Sequence, residues 1–348
     1  MVMKRLFVVW MILALLLPCA AAAQEEKVLN LFTWEMYVDD QTIADFEAAT
    51  GIKVRYSPFE DNEEMLLKLQ MSGGAGQYDV IIASDYAVNM ARKSGLLQKI
   101  DKSMVTNYDL LDQALLSPYF DPDNEYSVPY MSGVTLIVYD PTAVTAEITG
   151  YKSLWDESLR DSLVVMDDAR NIVGIALKAL GQSFNVTDDE TLALAARKLE
   201  ALGPNIRSFN STSPDVDMIS GECAIGYMYG QYAFYALEQN PDLKVVYPEE
   251  GLGFGLDSLV IPAGAPHPEN ANLFINFLLQ PEIAAQVAVA QGFRTPVPAA
   301  KEFLDESYLN NPVINIPSEL LANHEFIMDL GENESKFQNI WTQFKLNR

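Results

Sequence analysis

Residues 27–59 read KVLNLFTWEMYVDDQTIADFEAATGIKVRYSPF, and the fold follows from how this stretch divides. "KVLNLF" is short, apolar and rich in strand formers. "DDQTIADFEAATG" has Asp39 or Asp40 placed as a helix N-cap and Gly51 as the stop. "IKVRYSPF" is a second strand. The plan then repeats. "NEEMLLKLQMSGG" (62–74) is a helix ending at Gly73, "YDVIIAS" (78–84) is an almost wholly apolar strand, and "AVNMARKSG" (87–95) is a helix with its own Gly stop. Strands that are apolar on both faces and alternate with helices predict a parallel α/β sheet covered on both sides.

The alternation lapses over 106–135, where "FDPDNEYSVPYMSG" (120–133) is turn-rich, and resumes with the strand "VTLIVYD" (134–140). "SLVVMDDARNIVGIALKALG" (162–181) reads as strand, acidic turn and helix. "TLALAARKLEALG" and "DMISGECAIGYMYGQYAFYALEQ" extend the pattern, and "LGFGLDSLVIPAG" (252–264) reads as a pair of strands. "ENANLFINFLLQPEIAAQVAVAQGF" is helical, broken or bent near Pro281. With 348 residues, two α/β segments and no low-complexity linker, two closely packed lobes are expected, with the chain crossing between them more than once.

The first 23 residues read as a secretory signal. Lys4 and Arg5 precede the apolar run "LFVVWMILALLL", and small residues around Ala21–Ala23 suit cleavage. Cys19 leaves a lipid anchor open as the alternative, although Pro18 before it fits that pattern poorly. No later run is long and apolar enough for a membrane span. Removing the signal takes away two cations, so the net charge of −25 becomes about −27. A basic face for phosphate is missing, which argues against nucleic acid as a partner. The acidity suits a cationic ligand and solubility equally. Of two cysteines, only Cys223 would remain. It excludes an internal disulfide and reads as a small buried residue.

Motifs for catalysis are missing. His267 and His324 stand in unrelated contexts, with no zinc-protease or nucleophile-elbow pattern. "SGGAGQ" (72–77) precedes a strand and lacks Lys-Ser/Thr, so it is a turn and not a phosphate loop. "EDNEE" (60–64) is a helix N-terminus favoured by the helix dipole. The expectation is a non-enzyme, without cofactor or metal.

What the strand ends do share is aromatics and carboxylates. In a parallel α/β sheet ligands bind beyond the carboxyl ends of the strands. There stand Trp34, Glu35 and Tyr37; Ser84, Asp85 and Tyr86; Asp167 and Asp168; Tyr229 and Tyr232; and Asp257. A carboxylate accepts charge-assisted hydrogen bonds from an ammonium, and an aromatic face holds a cation and its methylenes. An anionic ligand would need Arg, which the strand ends barely offer. For Asp85 and Asp168 a helix N-cap and a ligand role stand side by side. Packing alone remains an alternative for Trp34, Tyr229 and Tyr232.

These segments, taken together and in order, resemble the periplasmic spermidine/putrescine-binding proteins that serve polyamine ABC transporters. The resemblance is carried by "FTWEMYV", "FEAATGIKVRYSPFEDNEEM", "YDVIIASDY", "GLLQKIDKSMVTN", "FDPDNEYSVPYMSG", "DDAR", "FNSTSP", "DSLVIPA" and "FINFLLQPEIAAQVA", and it spans nearly the whole mature chain. It implies a two-lobe periplasmic-binding-protein fold, each lobe a mostly parallel sheet flanked by helices, closing on a polyamine. The division expected is 27–133 plus 257–301 for one lobe and 134–256 plus 302–348 for the other. It implies ligand contacts from Trp34, Tyr37, Ser84, Tyr86, Asp168, Ser211, Tyr229, Asp257 and the ring at Phe293. It also implies a monomer that hands its cargo to an inner-membrane ABC permease. Several measuring positions depart from the family. Met36 stands where an acid is common, Asn171 where Glu is common, Gly255 for a Trp, Ile327 for a polar contact, and Phe293 lacks a hydroxyl. The polyamine class is therefore favoured and the individual polyamine left open.

Overall fold

The computed structural model describes residues 25–71, 76–321 and 323–348. The signal sequence, Cys19 and most of the Gly-rich turn at 72–77 lie outside the described residues. Strand β1 (Val28–Trp34) leads through α1 (Asp40–Thr50) to β2 (Lys53–Phe59), and α2 (Asn62–Met71) precedes β3 (Val80–Ala83) and α3 (Asp85–Lys93). Asp39 caps α1, its Oδ1 accepting from the Thr42 amide at 3.0 Å, and Gly51 ends it at φ 71°. β1 pairs in parallel with both β2 and β3. Successive side chains of β3 enter different cores, Val80 and Ile82 on one face, Ile81 and Ala83 on the other. This is the period of two that a sheet covered on both faces requires.

The second half repeats the plan. β6 (Leu163–Val165) leads to α4 (Ala169–Ala179), then α5 (Asp189–Leu202), β7 (Ile206–Phe209), α6 (Pro214–Ile219), β8 (Ile225–Tyr229) and α7 (Gly230–Gln239). β6 lies in parallel between β7 and β8. Its apolar core collects Tyr151, Ile172, Phe184 and Tyr227, with Phe337, Trp341 and Phe344 from the C-terminal helix Glu334–Asn347. Burying such a side chain contributes roughly 1.5–3 kcal/mol.

Two strands longer than expected join the halves. β5 runs Ser127–Tyr139 and β10 runs Leu252–Pro262, antiparallel to each other, in the order β2-β1-β3-β10-β5-β8-β6-β7, with the short strands β4 (Leu97–Gln98) and β11 (His324–Phe326) beside β10 and β9 (Lys244–Val246) beside β5. The sequence suggested a turn before 134 and a strand pair at 252–264; both are single strands. Pro129 and the glycines obscured them. Pro129 is tolerated because the register slips beside it, between Asp257 and Ser258, where a missing N–H costs little. The turn that feeds β5 is held by Asp121, 1% exposed, whose Oδ2 accepts from the Tyr126 and Ser127 amides and the Ser127 hydroxyl, each at 2.9 Å. At the middle of the crossing Gly133 pairs with Gly255. The helices Pro268–Leu278 and Pro281–Gln291 meet at 79°, the break expected at Pro281. Among the described residues no single helix is long and apolar enough to cross a membrane.

Candidate functional site

The ends of β1 and β3 meet β10 at Asp257. Trp34 closes β1 as its last residue, half-buried, with its ring edge-on to Tyr37 at 5.0 Å and Phe59 at 4.9 Å. The chain then turns through Met36, at φ 57° and 68% exposed, so that Tyr37 points back. A left-handed conformation is unusual for a residue with a Cβ. Here Gln291 Nε2 holds the Met36 carbonyl at 2.8 Å, and the Tyr56 hydroxyl donates to the Trp34 carbonyl and accepts from the Tyr37 amide at 3.0 Å. Tyr130 donates to the Tyr37 carbonyl at 2.9 Å.

Held in this way, the Tyr37 hydroxyl donates to Asp257 Oδ2. Phe293 lies beside the Tyr37 ring at 6.3 Å and rests on Gly133, where an added Cβ would stand 3.0 Å from the ring. Burial raises the Asp257 carboxyl above the usual range, while hydrogen bonds from Tyr37 and Ser84 draw it back. Burial, then the Asp257 charge, pushes the Tyr37 phenol well above its ordinary value, so it stays a donor.

A second carboxylate lies at the start of α4. Asp168 caps this helix, Oδ1 accepting from the Asn171 amide at 2.9 Å. Its Oδ2 accepts from the Tyr229 hydroxyl at 2.7 Å and Asn171 Nδ2 at 3.1 Å. The N-cap and the turned-out oxygen therefore coexist in one side chain. Burial and then Asp168 raise the Tyr229 phenol well above normal. Tyr86 connects the two sides: its hydroxyl donates to Glu63 Oε1 at 3.2 Å and accepts from Asn62 Nδ2 at 3.1 Å, and Asp168 is among the charges it feels. Asn62 also holds Ser84, its Nδ2 3.2 Å from the Ser84 Oγ.

The remaining expected residues are placed differently. Glu35 is exposed, and its charge reaches Tyr56. Ser211 accepts from the Asp167 amide at 2.7 Å, so it braces the acidic turn. Tyr232, on α7, is half-buried; burial raises its phenol, followed by the charge of Asp215 on α6, and no contact joins it to Asp168 or Asp257. Asp85 is 4% exposed. Its Oδ1 accepts from the Tyr86 amide at 2.6 Å, and its Oδ2 is buried with no partner. Burial, then the Asp257 charge, pushes its carboxyl up to about 8. Asn62, Tyr56 and Tyr130 escaped the sequence reading, because a polar residue opening a helix or a tyrosine within a strand carries no signal of its tertiary partner. Among the described residues no group of three or more His, Cys, Asp or Glu is placed to hold a metal ion.

What the arrangement offers is two partly dehydrated carboxylates, each met by a phenol, with aromatic rings beside Asp257. The model for "Bacterial extracellular solute-binding protein" matches residues 41–314. The spermidine/putrescine-binding periplasmic protein of Escherichia coli is 38% identical over 330 residues, 94% of either chain. A putrescine/cadaverine-binding protein of Pseudomonas aeruginosa is 30% identical over 358 residues, 99% of either chain. Among solved structures, a putative spermidine/putrescine ABC transporter from Listeria monocytogenes superposes with a TM-score of 0.85 at 31% identity, covering 93% of this chain and 100% of that one. A lipoprotein of Treponema pallidum superposes with a TM-score of 0.81 at 26% identity, covering 91% and 99%. The chain shares its two-lobe fold with these solved structures, and it belongs to the bacterial extracellular solute-binding protein family.

Proposed function

We propose that this chain is an extracytoplasmic receptor that binds a polyamine, putrescine or spermidine, between two hinged lobes and delivers it to an inner-membrane ABC permease. The observation that carries the reading is the pair Asp168–Tyr229 and Asp257–Tyr37, one on each side of the crossing formed by β5 and β10. Each carboxylate keeps lone pairs for an ammonium, worth roughly 1.5–3 kcal/mol per charge-assisted hydrogen bond. Trp34, Tyr37 and Tyr86 offer faces for the methylenes between. Lobes divided at 133/134 and 256/257 hinge beside the Gly133–Gly255 pair, and closure by rotation about such a pair is one of the ordinary domain motions. Family and relatives are binding proteins, which agrees with a non-enzyme.

The test is thermal unfolding of refolded, ligand-free protein against putrescine, cadaverine, spermidine, glycine betaine and maltose. A ligand of the folded form stabilises it by roughly 2.7 kcal/mol at 100 times its dissociation constant. A rise with a polyamine and none with maltose supports the reading. A rise with betaine or maltose alone replaces it with a receptor for another solute. Intact mass of protein matured in its host separates cleavage near Ala23 from lipidation at Cys19.

A further inference from the structure

Asp85 is a buried acid at the start of α3, next to the end of β3. The register Ser258–Ala83 is the last of the β3–β10 ladder, and the next residues are Ser84, which hydrogen-bonds Asp257, and Asp85, which feels the Asp257 charge and the Leu256 amide. Asp85 therefore lies close to the anchor carboxylate. It is 4% exposed, and as first residue of α3 its Oδ1 accepts from the neighbouring Tyr86 amide at 2.6 Å. Oδ2 is buried without a partner, and so is the hydroxyl of Tyr119, which packs edge-on against Phe326 at 5.4 Å. An unmatched acceptor and an unmatched donor thus lie buried in one region.

The groups that act on Asp85 are few. β10 contributes the Asp257 charge and the Leu256 amide, α3 the Tyr86 amide, and the segment before β5 the Tyr119 phenol. Tyr119 in turn feels Asp329 and Arg170 from the second half of the chain. Two adjacent dehydrated carboxylates do not both ionise readily, because each charge disfavours the other and burial disfavours both. Burial and Asp257 together lift Asp85 to about 8, which agrees with a proton held there at neutral pH.

We propose that Asp85 holds a proton while the cleft is empty and releases it to solvent when an ammonium group settles on Asp257, so that amine binding is coupled to proton release. The proposal rests on the polyamine reading and adds a residue to it. An ammonium cancels the Asp257 charge and adds a positive one nearby, which removes the repulsion that kept Asp85 neutral. The freed carboxylate has the Tyr119 hydroxyl at hand as donor. Charge balances: one cation enters, one proton leaves to water. A neutral solute supplies nothing to displace the proton, so Asp85 also discriminates against sugars.

The experiment is titration calorimetry of putrescine into the full mature protein and into Asp85→Asn, between pH 6 and 8, in buffers of differing ionisation enthalpy. The ligand stays charged throughout, as a lysine-like amine does. The expected result is release of up to one proton per ligand and an affinity that rises with pH, by up to tenfold per unit, in the native protein. In Asp85→Asn both effects vanish. Asp85→Ser serves as a second variant should the amide not fold. Binding without proton release, or equal release from native protein and variant, overturns the proposal and leaves the receptor reading intact. Failure of every amine to bind native protein overturns the receptor reading, and this proposal with it.

Discussion

Asp168 carries two roles in one side chain, and two substitutions separate them. Oδ1 caps the helix Ala169–Ala179, and Oδ2 receives Tyr229 and Asn171 at the cleft. Asn is about as good an N-cap as Asp. Asp168→Asn therefore keeps the cap and removes the charge, but it sets an NH2 where Oδ2 accepted from Asn171 Nδ2, which costs the ligand-free protein roughly 1–3 kcal/mol. It also removes a charge-assisted bond to the ligand of roughly 1.5–3 kcal/mol, or about 10- to 150-fold in affinity. Asp168→Ala loses the same affinity and the cap as well, about 1 kcal/mol. It further strands the half-buried Tyr229 hydroxyl, for roughly 1–3 kcal/mol more. Urea unfolding of both variants without ligand, with calorimetry of putrescine binding, reads the two terms independently. Native affinity in Asp168→Asn would remove Asp168 from the site. Equal destabilisation by Asn and Ala would show that the cap is not what the side chain contributes.

Other perturbations follow from the same geometry. Trp34→Ala removes an aromatic wall already packed on Tyr37 and Phe59, and putrescine affinity should fall by roughly 0.5–2 kcal/mol, checked by calorimetry beside far-ultraviolet dichroism for the fold; unchanged affinity makes Trp34 packing alone. Tyr37→Phe takes a donor from Asp257, whose carboxyl then rises further, so binding should fail at a higher pH than in the native protein as acid is added; identical pH profiles refute this. For Asp85 the carboxyl rises from 3.8 unfolded to about 8 folded. A raised value means its contribution to stability is fully present below the unfolded pKa and is lost as pH climbs through the folded one. Over pH 4–8 that loss is at most roughly 5 kcal/mol, at about 1.4 kcal/mol per pH unit. Asp85→Asn should accordingly gain on native, ligand-free protein as pH rises from 5 to 8 in urea unfolding, and a constant difference would refute it.

The alternation of strands and helices was legible because inner strands such as β3 and β6 are apolar on both faces and helices such as α1 carry their own stop, as at Gly51. The site was legible where it obeyed the strand-end rule. Trp34, Tyr37, Asp168 and Tyr229 follow or finish strands, whereas Asp257 stands in the middle of β10, where the rule does not look. The crossing was not legible, because Pro129, Gly133, Gly253 and Gly255 look like turns until β5 and β10 are seen to support one another across a register slip. Side-chain direction was not legible either. Ser211 lies beside the acidic turn, and its oxygen accepts from the Asp167 amide, a tie between two turns that sequence order does not disclose. Tyr232, three residues after Tyr229, has crossed from strand to helix and answers to Asp215.

The departures from the family form one pattern once the hydrogen bonds are drawn. Asn171, where an acid is common, is 4% exposed and spends its amide on Asp168 and Tyr229, so it orients the remaining carboxylate in place of adding another. Met36 projects into solvent at 68% exposure, and Ile327 sits apolar near Gly253, so neither brings an anion. Gly255 leaves open space where the family's ring would stand. The acid at 85 is withheld from solvent close to Asp257. On the proposed reading two carboxylates face the ligand, Asp168 and Asp257, each already hydrogen-bonded by a phenol. A carboxylate without a cation in a dehydrated cleft is a cost, and so is a surplus ammonium without a carboxylate. Two anchors are therefore matched by two ammonium groups. While Asp85 keeps its proton a diamine answers both charges; once that proton leaves, a third anion lies near Asp257 and favours a further ammonium, so the proton count of binding separates putrescine from spermidine.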